Sequence, residues 1–365
     1  STIDCLEFLC HLRAYTPRLF GFAFNYHLTM ILRDCPDEFL YYLFRPDLRV
    51  KDEQRGPEPM EWDQYMMNLV GGKFTLSRTI GDSKAITIWD TWKFYQCKFV
   101  KALEDWEIAP KEVIERIENM KNRRDSFTDS ERPEIRGYCL DECQYMAKLT
   151  RRLVECHQAV DLELTDFHGA GSTAKVILKK MGIGKRKRDL PSEFMPYVMR
   201  AFFGGRFEYS IVGTLKGPLY NYDISSAYPY QITMLPCLDH GSWRMTINER
   251  DLETSQAACV WWKLGYSGRT QYSLEREPWG PLPFRTEDNT IVFPVGGGSG
   301  WCWKEEFLTA KKVFPHLEIT MISAVIYETE CDCQPFKDVP LYYRERVRLG
   351  KEARGKILKF GPNAL

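Results

Sequence analysis

The residues best suited to chemistry lie in the run Leu219-Tyr-Asn-Tyr-Asp223-Ile-Ser-Ser226-Ala-Tyr228-Pro229. A β-prone stretch delivers a carboxylate at its end, and the chain turns through two serines into a Tyr-Pro step suited to a helix start. Asp223 so placed can hold a hard cation: Mg²⁺ takes oxygen ligands in octahedral geometry, and the carbonyl of Ile224 can point at the same ion. Tyr228 follows on the first turn beyond, where its ring can pack under a nucleotide sugar and exclude a 2′-hydroxyl. The plainer alternative is a strand-end aspartate capping the next helix, the usual case for an isolated Asp. Here four positions coincide as Asp-x-x-Ser-x-Tyr-Pro.

Other segments carry weaker signals of the same kind. Phe202-Phe-Gly204-Gly205-Arg-Phe-Glu208 puts two small residues where backbone could approach a ligand strand closely. Leu341 to Phe360 reads as one long helix with seven basic residues, Arg344, Arg346, Arg348, Lys351, Arg354, Lys356 and Lys359, and runs into Lys359-Phe-Gly-Pro-Asn363-Ala-Leu365. In the first third, Tyr138 and Glu142 are four residues apart and share a helical face, so the phenol can orient water while the carboxylate binds metal. Such a pair is ordinarily surface decoration. Lys121 precedes it and could stabilise phosphate charge, with nothing local to separate it from Arg123 or Arg124. In Phe22-Ala-Phe-Asn25-Tyr26-His27, the histidine is a poor Mg²⁺ ligand but can serve Mn²⁺ or Zn²⁺, and a lone His after a strand is more often structural. Around Asp90-Thr91, aromatics interleave with Lys93 and Lys98, a pattern that fits base stacking with phosphate attraction and equally a core strand edge.

Taken in order, these segments resemble family B DNA polymerases. Asp-x-x-Ser-x-Tyr-Pro resembles the family's first polymerase motif, and Phe202–Glu208 resembles the aromatic-x-Gly-Gly element between exonuclease and polymerase domains. The Lys359 segment resembles the opening of the second polymerase motif, Lys-x-x-x-Asn-Ser-x-Tyr-Gly. It departs at Gly361-Pro362, where proline should kink the helix, and at Ala364. Phe22–His27 and Tyr138–Glu142 resemble the second and third exonuclease motifs, with His27 where the family has aspartate. The first, an Asp-x-Glu, is missing: Asp4 and Glu7 are spaced Asp-x-x-Glu.

The resemblance implies that Asp223 and the Ile224 carbonyl bind one of two Mg²⁺ (or Mn²⁺) ions, and that Asp223 and Lys359 are catalytic. It implies nucleotide binding by Ile224, Ser226, Tyr228, Arg346, Arg348, Lys359 and Asn363. The exonuclease set would be His27, Lys121, Tyr138 and Glu142, with Glu142 on metal. DNA contacts are expected from Asp90, Thr91, Gly204, Gly205, Lys185 and Arg186. Primer-template DNA and deoxynucleoside triphosphates are the implied partners. The long interval from Asp223 to Lys359 resembles the insertion of the protein-primed viral and linear-plasmid branch, which adds a terminal-protein primer.

To position these groups the chain must be multidomain, α/β and α+β. An RNase H-like 3′ to 5′ exonuclease domain is expected over 1–157, with strands at Leu19–Phe24 and Ala85–Trp89 and an amphipathic helix at Lys111–Asn122. A basic linker at 158–200 carries Lys185 to Arg188 and a helix opening at His168–Ser172. A partial right-hand polymerase follows: palm at 201–240, an irregular β-rich insertion like the terminal-protein region with further palm at 241–335, and the start of the fingers at 336–365. A helix is expected at Trp303–Val313 and strands over Leu317–Tyr327. The missing first exonuclease and third polymerase motifs imply a chain cut at both ends and unable to polymerise as given.

Composition bounds the alternatives. The 365 residues suffice for two or three domains, and 44% hydrophobic with 27% charged residues excludes disorder and collagen-like repeats. With 50 basic and 50 acidic residues the net charge is +0, so any polyanion site must come from local clustering. No run approaches the ~18 apolar residues of a membrane span. The 12 cysteines are scattered, and Cys331-Asp-Cys333 matches no usual zinc spacing, so they read as reduced thiols of an intracellular protein. That would be host cytoplasm for a phage or plasmid product, with nucleus or mitochondrion as alternatives. Competing readings are a degenerate polymerase-like DNA-binding protein, an exonuclease alone, and an unrelated α/β protein with a chance motif.

Overall fold

The computed structural model describes residues 1–12, 18–52, 56–80, 85–183, 191–206, 213–224, 226–265, 280–294 and 296–365. The chain divides into two compact units. The first comprises Ser1–Lys180 and Val339–Leu365; the second is Met181–Asp338.

A five-stranded sheet organises the first unit, with β1 (Leu19–Gly21), β2 (Met60–Trp62), β3 (Tyr65–Val70), β4 (Lys73–Arg78) and β5 (Ile86–Asp90) in the order β1-β5-β4-β3-β2. Only the β1–β5 pair is parallel, which sets Gly21 beside Asp90. Strand β3 alternates buried Tyr65, Met67 and Leu69 with half-buried neighbours, as expected of a sheet with one well-covered face. The β3–β4 hairpin turns on Gly71 and Gly72, both at positive φ, the conformation that a tight two-residue hairpin demands. Leu6, Leu28, Leu32, Phe39 and Leu43 from three N-terminal helices cover this face and meet Phe74, Leu76, Ile86 and Ile88.

The expected strand Leu19–Phe24 stops at Gly21, and Phe24 begins a helix, Phe24–Ile31. The cause is Asp90, whose carboxylate accepts the amide protons of Ala23 and Phe24, both at 2.9 Å, and satisfies the exposed N–H groups of a helix start. The Lys111–Asn122 helix forms as expected, and the long helix Arg132–Ala159 follows it after a Thr128–Glu131 capping box.

The basic C-terminal segment is not one helix but two, Val339–Leu349 and Ala353–Asn363. Gly350 adopts φ +59 between them, a left-handed residue that ends the first helix. Pro362 falls in the last turn of the second, where little helix remains to be bent. That helix packs on Ala170–Lys180 and on part of Arg132–Ala159. The stretch expected as a linker, 158–200, is therefore split: Ala170–Lys180 buries Thr173, Ala174 and Ile177 in the first unit.

In the second unit an antiparallel four-stranded sheet is built from β6 (Ser242–Thr246), β7 (Ala257–Gly265), β8 (Gly298–Trp303) and β9 (Glu318–Glu328), in the order β8-β7-β9-β6. The expected irregular insertion is thus an ordered sheet with both faces covered. On one face Ala258, Val260, Trp262 and Leu264 meet Phe307 and Ala310 of the helix Lys304–Val313. On the other, Cys259, Trp301 and Val325 meet Tyr197, Val198 and Ala201, in and just beyond the helix Met195–Arg200.

Candidate functional site

A cleft of about 670 Å³ lies in the first unit, between the β1 end, Trp92, the Cys97–Val100 turn and two helices. Helix Lys111–Asn122 sends Lys121 into it, and Arg132–Ala159 sends Glu142. The Lys121 Nζ lies 2.9 Å from the Glu142 carboxylate and 5.0 Å from the Phe99 ring centroid. Arg124 approaches the other Glu142 oxygen at 3.7 Å and donates to the Tyr138 hydroxyl at 2.8 Å. Burial, and then the neighbouring Glu142 carboxylate, pushes the Tyr138 phenol up to about 12.

Three of the four expected exonuclease residues, Lys121, Tyr138 and Glu142, therefore form one cluster, and His27 lines the same cleft, exposed beside Tyr26. Arg124 is the member that sequence reasoning left undistinguished. Structure separates it from Arg123, which pairs with Glu131, and from Arg116, which pairs with Asp141. No local signal assigns those directions, because they depend on the 3₁₀ turn at Arg124–Ser126.

The donor set decides what the cleft can do. Among the described residues no group of three or more metal-capable side chains gathers around Glu142. Its two oxygens face cations. This set does not fit the paired-metal activation of water expected from the resemblance, which needs gathered carboxylates. Two cations beside a phenol, with aromatic walls, fit a phosphodiester and its adjoining base.

Asp90 and Thr91 are corrections. Both are buried, at 7% and 1% exposure, and offer no surface to DNA. Asp90 accepts a third amide proton from Trp92 at 3.0 Å, and the Thr91 hydroxyl donates to the Gly21 carbonyl at 2.9 Å. Trp92 is the exposed residue of that segment and lines the cleft.

In the second unit, 213–224 forms neither helix nor strand and pairs with no sheet among the described residues. Asp223 and Ile224 are exposed, and Tyr228 stands out from the short helix Ala227–Thr233, whose N-cap Ser226 is left-handed at φ 57. The expected helix start is present and the expected strand is not. Asp223 and Ile224, expected to offer a carboxylate and a carbonyl to one hard cation, are adjacent residues of this exposed segment. The described residues add no second carboxylate in a metal-capable group.

Gly204 has φ +74, and the turn around it is held by Arg285, which donates to the Phe202 carbonyl at 2.8 Å, and by Arg206, which donates to the Gly280 carbonyl at 2.9 Å. Gly205 follows in that exposed turn. On the C-terminal helices, Lys359 and Asn363 are exposed, and Arg348 pairs with Glu345. Arg346 lies in the last turn of Val339–Leu349. Lys185 and Arg186 lie outside the described residues. No helix among the described residues is long and apolar enough to cross a membrane.

With this geometry in view, the family model for DNA polymerase type B, organellar and viral, matches residues 95–348, more than half of the chain. The chain belongs to this family. The matched span contains the Asp223–Pro229 run and the Lys121–Glu142 cluster but ends before Lys359. No curated protein matches.

Among solved structures, the chain is similar to Phi29 DNA polymerase complexed with primer-template DNA and incoming nucleotide substrates, with a TM-score of 0.51 and 14% identity over 95% of this chain and 58% of that one. It is also similar to the orthorhombic crystal form of Phi29 DNA polymerase, with a TM-score of 0.51 and 12% identity over 87% and 52%. The likeness establishes a shared mixed α/β fold. The chain spans just over half the length of these polymerase chains.

Proposed function

We propose that this family B chain contributes an exonuclease-like domain and the first palm motif of a protein-primed, DNA-directed DNA polymerase. The observation that carries the reading is the placement of Asp-x-x-Ser-x-Tyr-Pro inside the family-matched span, downstream of the Lys121–Tyr138–Glu142 cleft. Primer-template DNA and deoxynucleoside triphosphates are then the partners, in line with the similar Phi29 complexes with primer-template DNA and incoming nucleotide substrates. The insertion-sized interval between Asp223 and Lys359 supports a terminal-protein primer, and replication places the protein inside a cell.

Asp223, with the Ile224 carbonyl, would hold one of two divalent cations, Mg²⁺ or Mn²⁺. Bound ions offset the negative charge that builds up during phosphoryl transfer. In that reaction the primer 3′-oxygen bonds to the α-phosphorus, the bond to the bridging oxygen of pyrophosphate breaks, and the 3′-hydroxyl proton leaves to solvent. Tyr228 stands under the sugar, and Ser226 lies in the turn beside it. Lys359, Arg346 and Arg348 supply fixed positive charge for the triphosphate, with Asn363 on the same helix as Lys359.

In the first unit, the cation-flanked Glu142 favours holding a frayed 3′ end over hydrolysing it. Primer extension by the full reading frame tests the main reading: Asp223→Ala should abolish extension while primer-template binding persists. Extension that survives the substitution, or is absent from the native protein, overturns it. Single-strand degradation retained in Asp223→Ala and lost in Glu142→Ala would turn the cleft from a binding site into a nuclease.

A further inference from the structure

Four side chains outside both sites converge at one edge of the second unit. Cys237, His240, Cys331 and Cys333 place one ligand atom each within 4.8 Å of the others. The His240 Nδ1 is 3.4 Å from the Cys237 Sγ, 3.1 Å from Cys331 and 3.8 Å from Cys333. A tetrahedral zinc ion with bonds of roughly 2.0 Å to nitrogen and 2.3 Å to sulfur separates its ligand atoms by about 3.5–3.8 Å. The three separations from His240 already stand near that range, and all four atoms lie within 4.8 Å of one another. Although Cys331-Asp-Cys333 alone lacks a usual zinc spacing, Cys237-x-x-His240 supplies the missing half from far away in sequence.

The sheet register brings the halves together. β9 and β6 are antiparallel neighbours, with Glu328 opposite Ser242 and Tyr327 opposite Trp243. The chain entering β6 and the chain leaving β9 must therefore lie side by side, and each carries two of the four groups. Gly241 permits the approach, since a Cβ there would come within 2.2 Å of the Glu328 carbonyl oxygen. The exit loop is already shaped: the Thr329 hydroxyl donates to the His240 carbonyl at 3.0 Å and accepts the Cys331 amide proton at 3.0 Å. The Cys333 amide N–H donates to the Cys331 sulfur at 3.3 Å, a contact that orients this sulfur toward its neighbours.

We propose that Cys237, His240, Cys331 and Cys333 form a structural Zn²⁺ site. Three soft thiolates and an imidazole select zinc over the hard cations proposed for Asp223. Four protein ligands complete the tetrahedron and leave no position for a reacting water, so the ion is a clamp. It ties the segment after the Ala227–Thr233 helix to the far end of β9, closing the sheet edge at the point where the polymerase motif enters it.

The 365-residue chain, purified under reducing conditions and desalted, should carry one zinc per molecule by elemental mass spectrometry. Cys331→Ser combined with Cys333→Ser should lose it, whereas Cys5→Ser, on an exposed cysteine of the first unit, should retain it. Substitution with Co²⁺ should give thiolate charge-transfer absorption and the strong visible bands of tetrahedral cobalt, and this measurement on the unsubstituted chain stands even where the double variant fails to fold. Chelation should lower the thermal midpoint, and zinc alone should restore it. Substoichiometric zinc with all thiols reduced, a cobalt spectrum without thiolate character, or a Cys237–Cys331 disulfide in the reduced preparation would overturn the assignment. None of these results bears on the polymerase reading.

Discussion

Glu142 is held between cations in this fold: it neutralises Lys121 and, more distantly, Arg124. Its charge therefore works against the cleft's attraction for a phosphodiester. Glu142→Gln keeps the shape and removes that charge, and is expected to tighten single-stranded DNA binding by about 2–5-fold at low salt with a steeper salt dependence. Fluorescence anisotropy titrations at several salt concentrations would show it; unchanged or weaker binding would contradict the anion-binding role. Asp90 presents the opposite case, a carboxylate consumed by architecture. Asp90→Ala strands three amide protons, those of Ala23, Phe24 and Trp92, and should cost about 2–4 kcal/mol in denaturant unfolding. Asp90→Asn, with a single acceptor oxygen left, should fall between. The sequence shows a carboxylate at the end of a β-prone run in both Asp90 and Asp223. It cannot tell which is buried, since that depends on whether a parallel neighbour such as β1 brings amides to it.

Helices around the Ala170–Lys180 element supply the next tests. His157, buried in the last turn of Arg132–Ala159, faces the Leu153 carbonyl at 2.8 Å and the Thr173 hydroxyl at 3.0 Å. Burial lowers its pKa from 6.5 to about 4. The folded value lies below the unfolded one, so its contribution is complete above pH 6.5 and drains as pH falls toward 4, by about 1.4 kcal/mol per unit. Urea midpoints of the native protein should drop by about 2 kcal/mol equivalent between pH 7 and 5, and a His157→Gln variant should be flatter over that window. Gly361 makes the complementary point. A Cβ there would come within 2.4 Å of Ile177 and 3.0 Å of Thr173, so Gly361→Ala should destabilise by about 1–3 kcal/mol and Ile177→Val should recover part of it. From the motif alone, Gly361-Pro362 is a defect in a fingers helix; in the fold it is the flat surface that lets two helices touch. Periodicity was enough to place Lys111–Asn122 and the helix after Trp303. It failed at 341–360, where basic residues continue unbroken across Gly350 and only the backbone angle marks the end. It also failed at 213–224, where β-prone residues are present but form no strand.

Across the whole molecule, a net charge of +0 conceals basic clustering along the two C-terminal helices. Binding to primer-template DNA should therefore weaken sharply with salt despite overall neutrality, and Lys359→Ala with Arg346→Ala should make the slope shallower. A flat salt response would argue against a phosphate-tracking surface. The same helices have a second consequence that follows from chain order. The first unit is interrupted, since Met181–Asp338 is threaded between Lys180 and Val339. On a ribosome adding about 5–20 residues per second, the Ala170–Lys180 helix emerges ~10–30 s before the partner helix that covers it. For that interval Thr173 and Ile177 lack the helix that packs on them, while the second unit is continuous in sequence. Arrested nascent chains ending just before Val339 should be cleaved readily within 170–180, and chains extended beyond Leu365 should resist. Synthesis would thus present the sequence-continuous unit whole before the interrupted one, which is completed only when the Val339–Leu365 segment reaches Ala170–Lys180.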